Sequence, residues 1–198
     1  SSYYEKMVEL LKSDKKEDPY LYYQLGSFYS QRLGNAEKSS EYFTVWVNWL
    51  DQKRKEEKEK REKDKDFGIS LEETVRRLSF EFTASYAIAS YHKQMQYPVE
   101  ESIYLDRAYD SYKELEHLIK DQESSVANSK KDVDLLKRDL LNKSTAESLS
   151  QYKEEQEKLE ETTYRLKLVK TTYDALRKTN LLFRLTALEE ENRNFKRV

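Results

Sequence analysis

Cysteine is absent from the 198-residue chain. That rules out disulfides, thiolate catalysis and cysteine-based metal sites, and it fits reducing and oxidising compartments alike. Glycine occurs three times and proline twice, far below average usage, so little of the turn chemistry that hairpins need is available and β architecture is disfavoured. No run of about 18 apolar residues exists, so nothing in the sequence suits a membrane span. Charge of one sign is lacking too: 36 basic and 38 acidic residues are interspersed for a formal charge of −2, which leaves no summed positive field for nucleic acid. Gly26, Gly34 and Gly68 are isolated and cannot build a phosphate-cradling loop or a dinucleotide fingerprint. His92 and His117 have no matching ligand spacing and read as partly exposed helical residues. Carboxylate pairs such as Glu72-Glu73 and Glu154-Glu155 sit in charged helices that do not desolvate them. No enzyme activity, cofactor or metal is therefore expected.

What remains is a helix-forming composition, 37% hydrophobic and 37% charged, which implies solvated helix surface and a thin apolar seam in place of a thick interior. The expected class is all-α and elongated. Tyr4, Met7, Leu10 and Leu11 share helical spacing within Tyr3 to Leu11 and predict a short amphipathic helix. Asp18-Pro19 is an N-cap followed by proline at the first helical position. That helix runs to Gly34-Asn35, where a second begins at Ala36 and carries Tyr42, Phe43, Trp46, Trp49 and Leu50 into the charged run Asp51 to Asp66. The run permits i,i+4 ion pairs and reads as a solvated helix extension or a disordered linker, with a charged binding surface as the alternative. Phe67-Gly68 is the expected stop, and Ser70 with Glu73 has capping-box spacing for the next helix.

Residues Tyr22 to Tyr29 and Gly34 to Phe43 together resemble one tetratricopeptide repeat, a helix-turn-helix unit. Tyr22 and Tyr29 stand at its two large aromatics, Leu25-Gly26 at its Leu-Gly pair, and Ser39 and Phe43 at the small residue and aromatic of its second helix. Gly26 and Ser39 are small where two helices must approach closely. Phe80, Tyr86 to Ala89, Tyr91, Pro98, Ala108 and Tyr112 look like a degenerate second unit over about residues 79–115, with Pro98 opening its second helix. The resemblance implies a groove lined by the first helix of each unit, here Tyr20, Tyr23, Ser27, Ser30 and Gln31, with Tyr23 as the central contact. This set lacks the Lys and Asn residues that clamp a chaperone's terminal carboxylate in some members of the family. It suits an extended or helical segment held by aromatic contact and adaptable hydrogen bonds.

From Leu105 the positions Ala108, Tyr112, Leu115, Ile119, Gln122, Val126, Ser129, Val133, Leu136 and Leu140 follow by threes and fours, a heptad seam. Asn142 to Ser148 breaks it, with Ser144 and Glu147 at capping-box spacing. A second seam is expected through Leu149, Tyr152, Gln156 and Leu159. After a one-residue phase shift it resumes at Thr162, Leu166, Val169, Tyr173, Leu176 and Phe183. The two arms predict an antiparallel coiled-coil hairpin, each reaching roughly 50 Å, in which Gln122, Ser129, Gln156 and Thr163 fix register. The sequon Asn142-Lys143-Ser144 at the tip carries no weight, because such triplets recur by chance.

The organisation read from the sequence is thus a repeat-like helical domain over 1–112 with a charged helix or linker at 51–66. A coiled-coil hairpin follows over 103–180 with its tip near 142–148, and then a helical tail over 181–198 with apolar residues Phe183, Leu185 and Leu188. The expected function is a protein-interaction scaffold or adaptor that binds a partner's peptide or helix. The alternative is an assembly component, possibly of a bacterial envelope complex, that self-associates through the coiled coil into a homo-oligomer. The expected location is soluble: cytoplasmic, or bacterial periplasmic with a lipid anchor upstream of Ser1.

Overall fold

A computed structural model of the chain describes Lys6 and residues 18–142 and 145–178. The described residues form five helices and no strand: α1 (Pro19–Gln31), α2 (Ala36–Lys63), α3 (Leu71–Gln94), α4 (Pro98–Asn142) and α5 (Ala146–Lys178). The all-α class is as expected. The helix expected at Tyr3 to Leu11, Lys6 apart, and the tail with Phe183, Leu185 and Leu188 lie outside the described residues.

Helix starts follow local chemistry. The Asp18 carboxylate accepts from the Tyr20 N–H at 3.0 Å, with Pro19 opening α1, and Asn35 accepts from the Lys38 N–H at the head of α2. Ser70 accepts from the Glu73 N–H at the head of α3. Each satisfies a donor that the first turn of a helix leaves unpaired. The connection from α1 to α2 turns at Gly34, whose φ of +60° is a left-handed conformation open to glycine at little cost. Two starts and stops differ from the sequence reading. α2 ends at Lys63 with Asp64 as its C-cap, before Phe67-Gly68. The cap of α5 is Thr145, which accepts from the Ser148 N–H while the Ser148 hydroxyl accepts from the Thr145 N–H. The reciprocal box therefore lies one residue beyond the Ser144 and Glu147 register.

Residue pairings fix the helix directions. Tyr20 meets Trp49, Tyr23 meets Phe43 and Tyr29 meets Tyr42, so α1 and α2 run antiparallel. At their closest approach the Ser39 hydroxyl donates to the Gly26 carbonyl at 2.9 Å, and a Cβ on Gly26 would stand 2.6 Å from the Phe43 ring. The fit leaves room only for hydrogen at that position. α3 is the shared wall. Its Ala84 and Ile88 close a cluster with Leu25, Phe43, Trp46 and Leu50, while Val75, Leu78, Phe82 and Ala89 close a second with Leu105, Ala108, Leu115, Val169 and Leu176. Glu57 pairs with Arg77 and Glu81 with Arg107, and His92 stacks on Tyr104. α3 is thus antiparallel to both α2 and α4, and α2 and α4 run in the same direction on either side of it.

α4, at 45 residues, exceeds α3, at 24, by 21 residues, or about 30 Å of helix. Along that excess, among the described residues, α4 pairs with α5 alone. Lys170 bridges Glu123 at 2.7 Å. Nearer the base the Tyr112 and Tyr173 rings stack at 5.0 Å with their hydroxyls bonded, and the Tyr173 hydroxyl donates to Glu116. Neither core cluster takes a described residue from between Ile119 and Val169. Every α4 seam position expected from the sequence is buried or half-buried, Leu105 through Leu140.

The α5 seam differs. Leu149, Gln156 and Thr163 are exposed, and the residues turned inward are Ser148, Tyr152, Glu155, Leu159, Thr162, Leu166, Val169, Tyr173 and Leu176. Those positions alternate by four and three without a phase shift. The sequence reading placed the less charged Leu149 and Gln156 inward, but the helix geometry carries Glu155 there.

Candidate functional site

The run from Asp51 to Lys63 is helical, and its first two turns do more than solvate. The Arg54 guanidinium grips Glu81 through both nitrogens at 2.7 Å. Arg107 donates to the same Glu81 at 2.7 Å and closes on both Asp51 oxygens at 2.9 and 2.6 Å. Glu81 is only 2% exposed, so one carboxylate of α3 joins arginines from α2 and α4, and Arg107 carries the tie back to α2. A turn further along, Glu57, also buried, receives Arg77 at 2.9 and 3.0 Å. Arg77 in turn donates to Glu73, which also pairs with Arg76 and accepts the Tyr20 hydroxyl. The expectation that this run buries nothing is therefore corrected. Its partners lie on α3 and α4, 20 to 56 residues away, where the i,i+4 rule does not look.

These pairings set the proton affinities. Hydrogen bonds from Arg107 hold Asp51 below the ordinary carboxylate range. Burial pushes Glu73 up, but its bonds from Tyr20, Arg77 and Arg76 outweigh that and hold it low. Burial alone would weaken the charge on Arg77 and Arg107, and their carboxylate partners reverse the effect. Asp51 and Glu73 are thus held as carboxylates, and Arg77 and Arg107 as cations, by the opposite charges that meet them.

Above the network the space between α2 and α4 is an open cleft floored by α3. One half, about 560 Å³, is lined by Asp51, Ile103, Asp106, Arg107, Asp110 and Glu114 among others. The other, about 370 Å³, is lined by Lys58, Arg61, Ile69, Thr74 and Arg77 among others. Arg54 and Glu114 belong to both walls. Asp106, Asp110, Glu114, Lys58 and Arg61 are exposed, and none forms an ion pair or hydrogen bond among the described residues. No three His, Asp or Glu side chains among the described residues stand close enough to hold a metal ion.

The five residues expected to line a groove on α1 are divided. The Tyr23 ring stacks on Phe80 at 3.9 Å and touches Phe43 and Trp46, and burial raises its pKa, with hydrogen bonds from Thr83 and Ser27 opposing. The Tyr20 hydroxyl bonds Glu73 while Arg76 lies over its ring at 4.5 Å. These two tyrosines and Ser27 close the junction of α1 with α3. Ser30 and Gln31 are exposed at the far end of α1. No family model, curated protein or solved structure matches the chain. The cleft was missed from the sequence because its walls come from three helices, and the one available signal was a set of charges at matching faces of the 51–63 and 103–114 segments.

Among the described residues no helix is long and apolar enough to cross a membrane.

Proposed function

We propose that the chain is a non-enzymatic interaction scaffold that receives a segment of a partner protein in the cleft between α2 and α4. The observation that carries this is the division of labour among the charges there. Glu57, Glu73 and Glu81 are each neutralised by arginine within the fold, whereas the exposed charges on the rim have no partner among the described residues and line an open space. A general acid would need a carboxyl held above its ordinary pKa; Asp51 and Glu73 are held below theirs. Rigid walls with unspent surface charge suit recognition.

In this reading α1–α2 is a tetratricopeptide-like unit and α3–α4 a degenerate second. The contact of Gly26 with Phe43 and the Ser39 bond to the Gly26 carbonyl support it, as does the parallel course of α2 and α4. The α4–α5 pair is then an antiparallel coiled coil, supported by seam positions that alternate by four and three on both helices.

One observation favours a second reading, assembly through self-association. The outer faces of the pair expose Leu135, Leu149 and Tyr164, apolar groups that a second copy would cover. A photoreactive residue placed in turn at Ile103, Ser30 and Tyr164 separates the readings in extracts of the native source. A defined partner captured from position 103 supports the cleft, and one captured from position 30 moves the site to α1. Crosslinks between copies from position 164, with a mass that rises with concentration, favour assembly.

A further inference from the structure

Because α2 and α4 run in the same direction and Arg107 ties Asp51 across the cleft, residues on the two walls can be placed level with one another. The cleft then has an order along its length. On α4, Val99, Ile103, Asp106, Asp110 and Glu114 fall on one helical face. The first two are 66% and 58% exposed, and the turn before α4 exposes Tyr97 as well. With Asp51 level with Arg107, Lys58 falls level with Glu114 and Arg61 about one turn beyond. The surface therefore passes from apolar, through acidic, to a stretch where Lys58 and Arg61 stand beside Glu114, over about five turns.

We propose that the occupant of this cleft is an amphipathic helix of a partner protein whose contact face carries the complementary order. An apolar residue at position i lies against Val99 and Ile103. Lys or Arg at i+4 and i+7 meets Asp106 and Asp110, and Asp or Glu at i+11 and i+14 meets Lys58 and Arg61. This identification rests on the scaffold reading and supplies the partner's chemistry. The heptad spacing follows because the wall residues are themselves helical, so groups on a helix laid alongside recur at the same rise. Charge order also selects direction: a helix inserted the other way sets its acidic end against the apolar patch and leaves Lys58 and Arg61 facing an apolar residue. The arginines of the network contribute nothing to this recognition, since Glu81, Glu57 and Asp51 already neutralise them.

The probe is a displayed library of helical peptides with Leu, Lys, Glu and Ala mixed at i, i+4, i+7, i+11 and i+14. It is selected in parallel on the full chain and on an Asp106→Lys, Asp110→Lys variant. Both aspartates are exposed and have no partner among the described residues, so thermal melting by circular dichroism should match in the two proteins. The unaltered chain should enrich peptides with Leu first, Lys in the middle and Glu last. These should bind the variant about tenfold more weakly, and the variant should enrich Glu at the middle positions. Crosslinks from position i of the enriched peptides should fall beside Ile103. Identical enrichment on both proteins overturns the proposal. Enriched peptides that crosslink to α1 or to the outer face of α4–α5 overturn it too, while leaving the scaffold reading standing. If no peptide is enriched on any surface, both fall.

Discussion

Glu81 and Glu155 are the same residue type turned inward from two helices, and their surroundings differ. Around Glu81 the side chain is closed off and two arginines from neighbouring helices occupy both oxygens. Glu155 is half-buried in the α4–α5 seam, with one oxygen 3.2 Å from its own helix neighbour Lys158 and the other buried without a partner among the described residues. In the base, Glu81 lies where three helices meet and collects donors from two of them, although Trp46, Ser85 and His92 there each keep a buried polar atom without a partner among the described residues. In the projecting pair a seam position has one facing helix and the solvent, and among the described residues no donor reaches the second oxygen of Glu155. A buried carboxylate is stabilising only when fully satisfied, so the base is expected to be the stronger of the two regions and to unfold at higher denaturant.

Trp46 and Trp49, the only tryptophans, both lie on α2. Their fluorescence reports the base, while far-ultraviolet dichroism reports both regions. The largest effect expected is that of Glu81→Gln, which leaves Arg54 and Arg107 without their shared counter-charge. The tryptophan-monitored transition should lose about 3 kcal/mol, towards the lower end for a broken buried ion pair because both arginines keep some solvent. An unchanged urea midpoint would show that the tie contributes nothing.

Acid should single out the same region. Asp51 and Glu73 have depressed folded pKa values. Their contribution is present above the unfolded carboxylate value of about 4 and is lost as pH falls through the folded one. The tryptophan-monitored midpoint should drop as pH is lowered from about 5 towards 2, and Glu73→Gln should flatten that dependence. An equally steep profile in the variant would rule Glu73 out as a source.

Next in size is Gly26→Ala. The added methyl meets the Phe43 ring at a distance no real contact shows, and the ring is itself closed in by Tyr23 and Gly26. Overpacking of this kind costs about 2 kcal/mol, and it should appear wholly in the tryptophan signal, leaving the dichroism of the projecting pair in place. A variant as stable as the parent would mean that α1 and α2 can part without loss.

How far the sequence could be read follows the same division. Asp18, Asn35, Ser70 and Pro98 act within four residues of their targets, and such local chemistry was legible. So was the α4 seam, because eleven positions follow a strict spacing. The α5 seam was misread at Glu155 because periodicity was weighed by hydrophobicity, and a helix that opposes one partner tolerates charge at a seam position. The network at Glu81 was illegible for a different reason. Its partners are 26 and 27 residues from it, and a segment as charged as 51–63 offers local pairings for every member, so the long-range ones leave no separate trace.

The projecting pair can be strengthened at that misread position. Glu155→Leu replaces a half-buried carboxylate, one oxygen of which has no partner, with an apolar group on the same seam. About 1 kcal/mol of stabilisation is expected from the area covered. It should raise the dichroism transition and leave the tryptophan transition where it was, narrowing the gap between regions. A shift of both together would mean that the two regions unfold as one unit.

Gln96, between α3 and α4, is the remaining lever and the smallest. It holds φ at +61°, a left-handed conformation that side chains other than glycine adopt at a cost. The turn is fixed by its neighbours: the Met95 N–H donates to the Tyr91 carbonyl and the Tyr97 N–H to the His92 carbonyl, so the backbone keeps this shape whatever residue stands there. Gln96→Gly removes the strain but frees the unfolded chain, and the two effects oppose each other. Relief should win by about 0.5 kcal/mol. Because α4 belongs to both regions, the gain should appear in the tryptophan and dichroism transitions alike. A gain confined to one probe would place the boundary between the regions at this turn and not along α4.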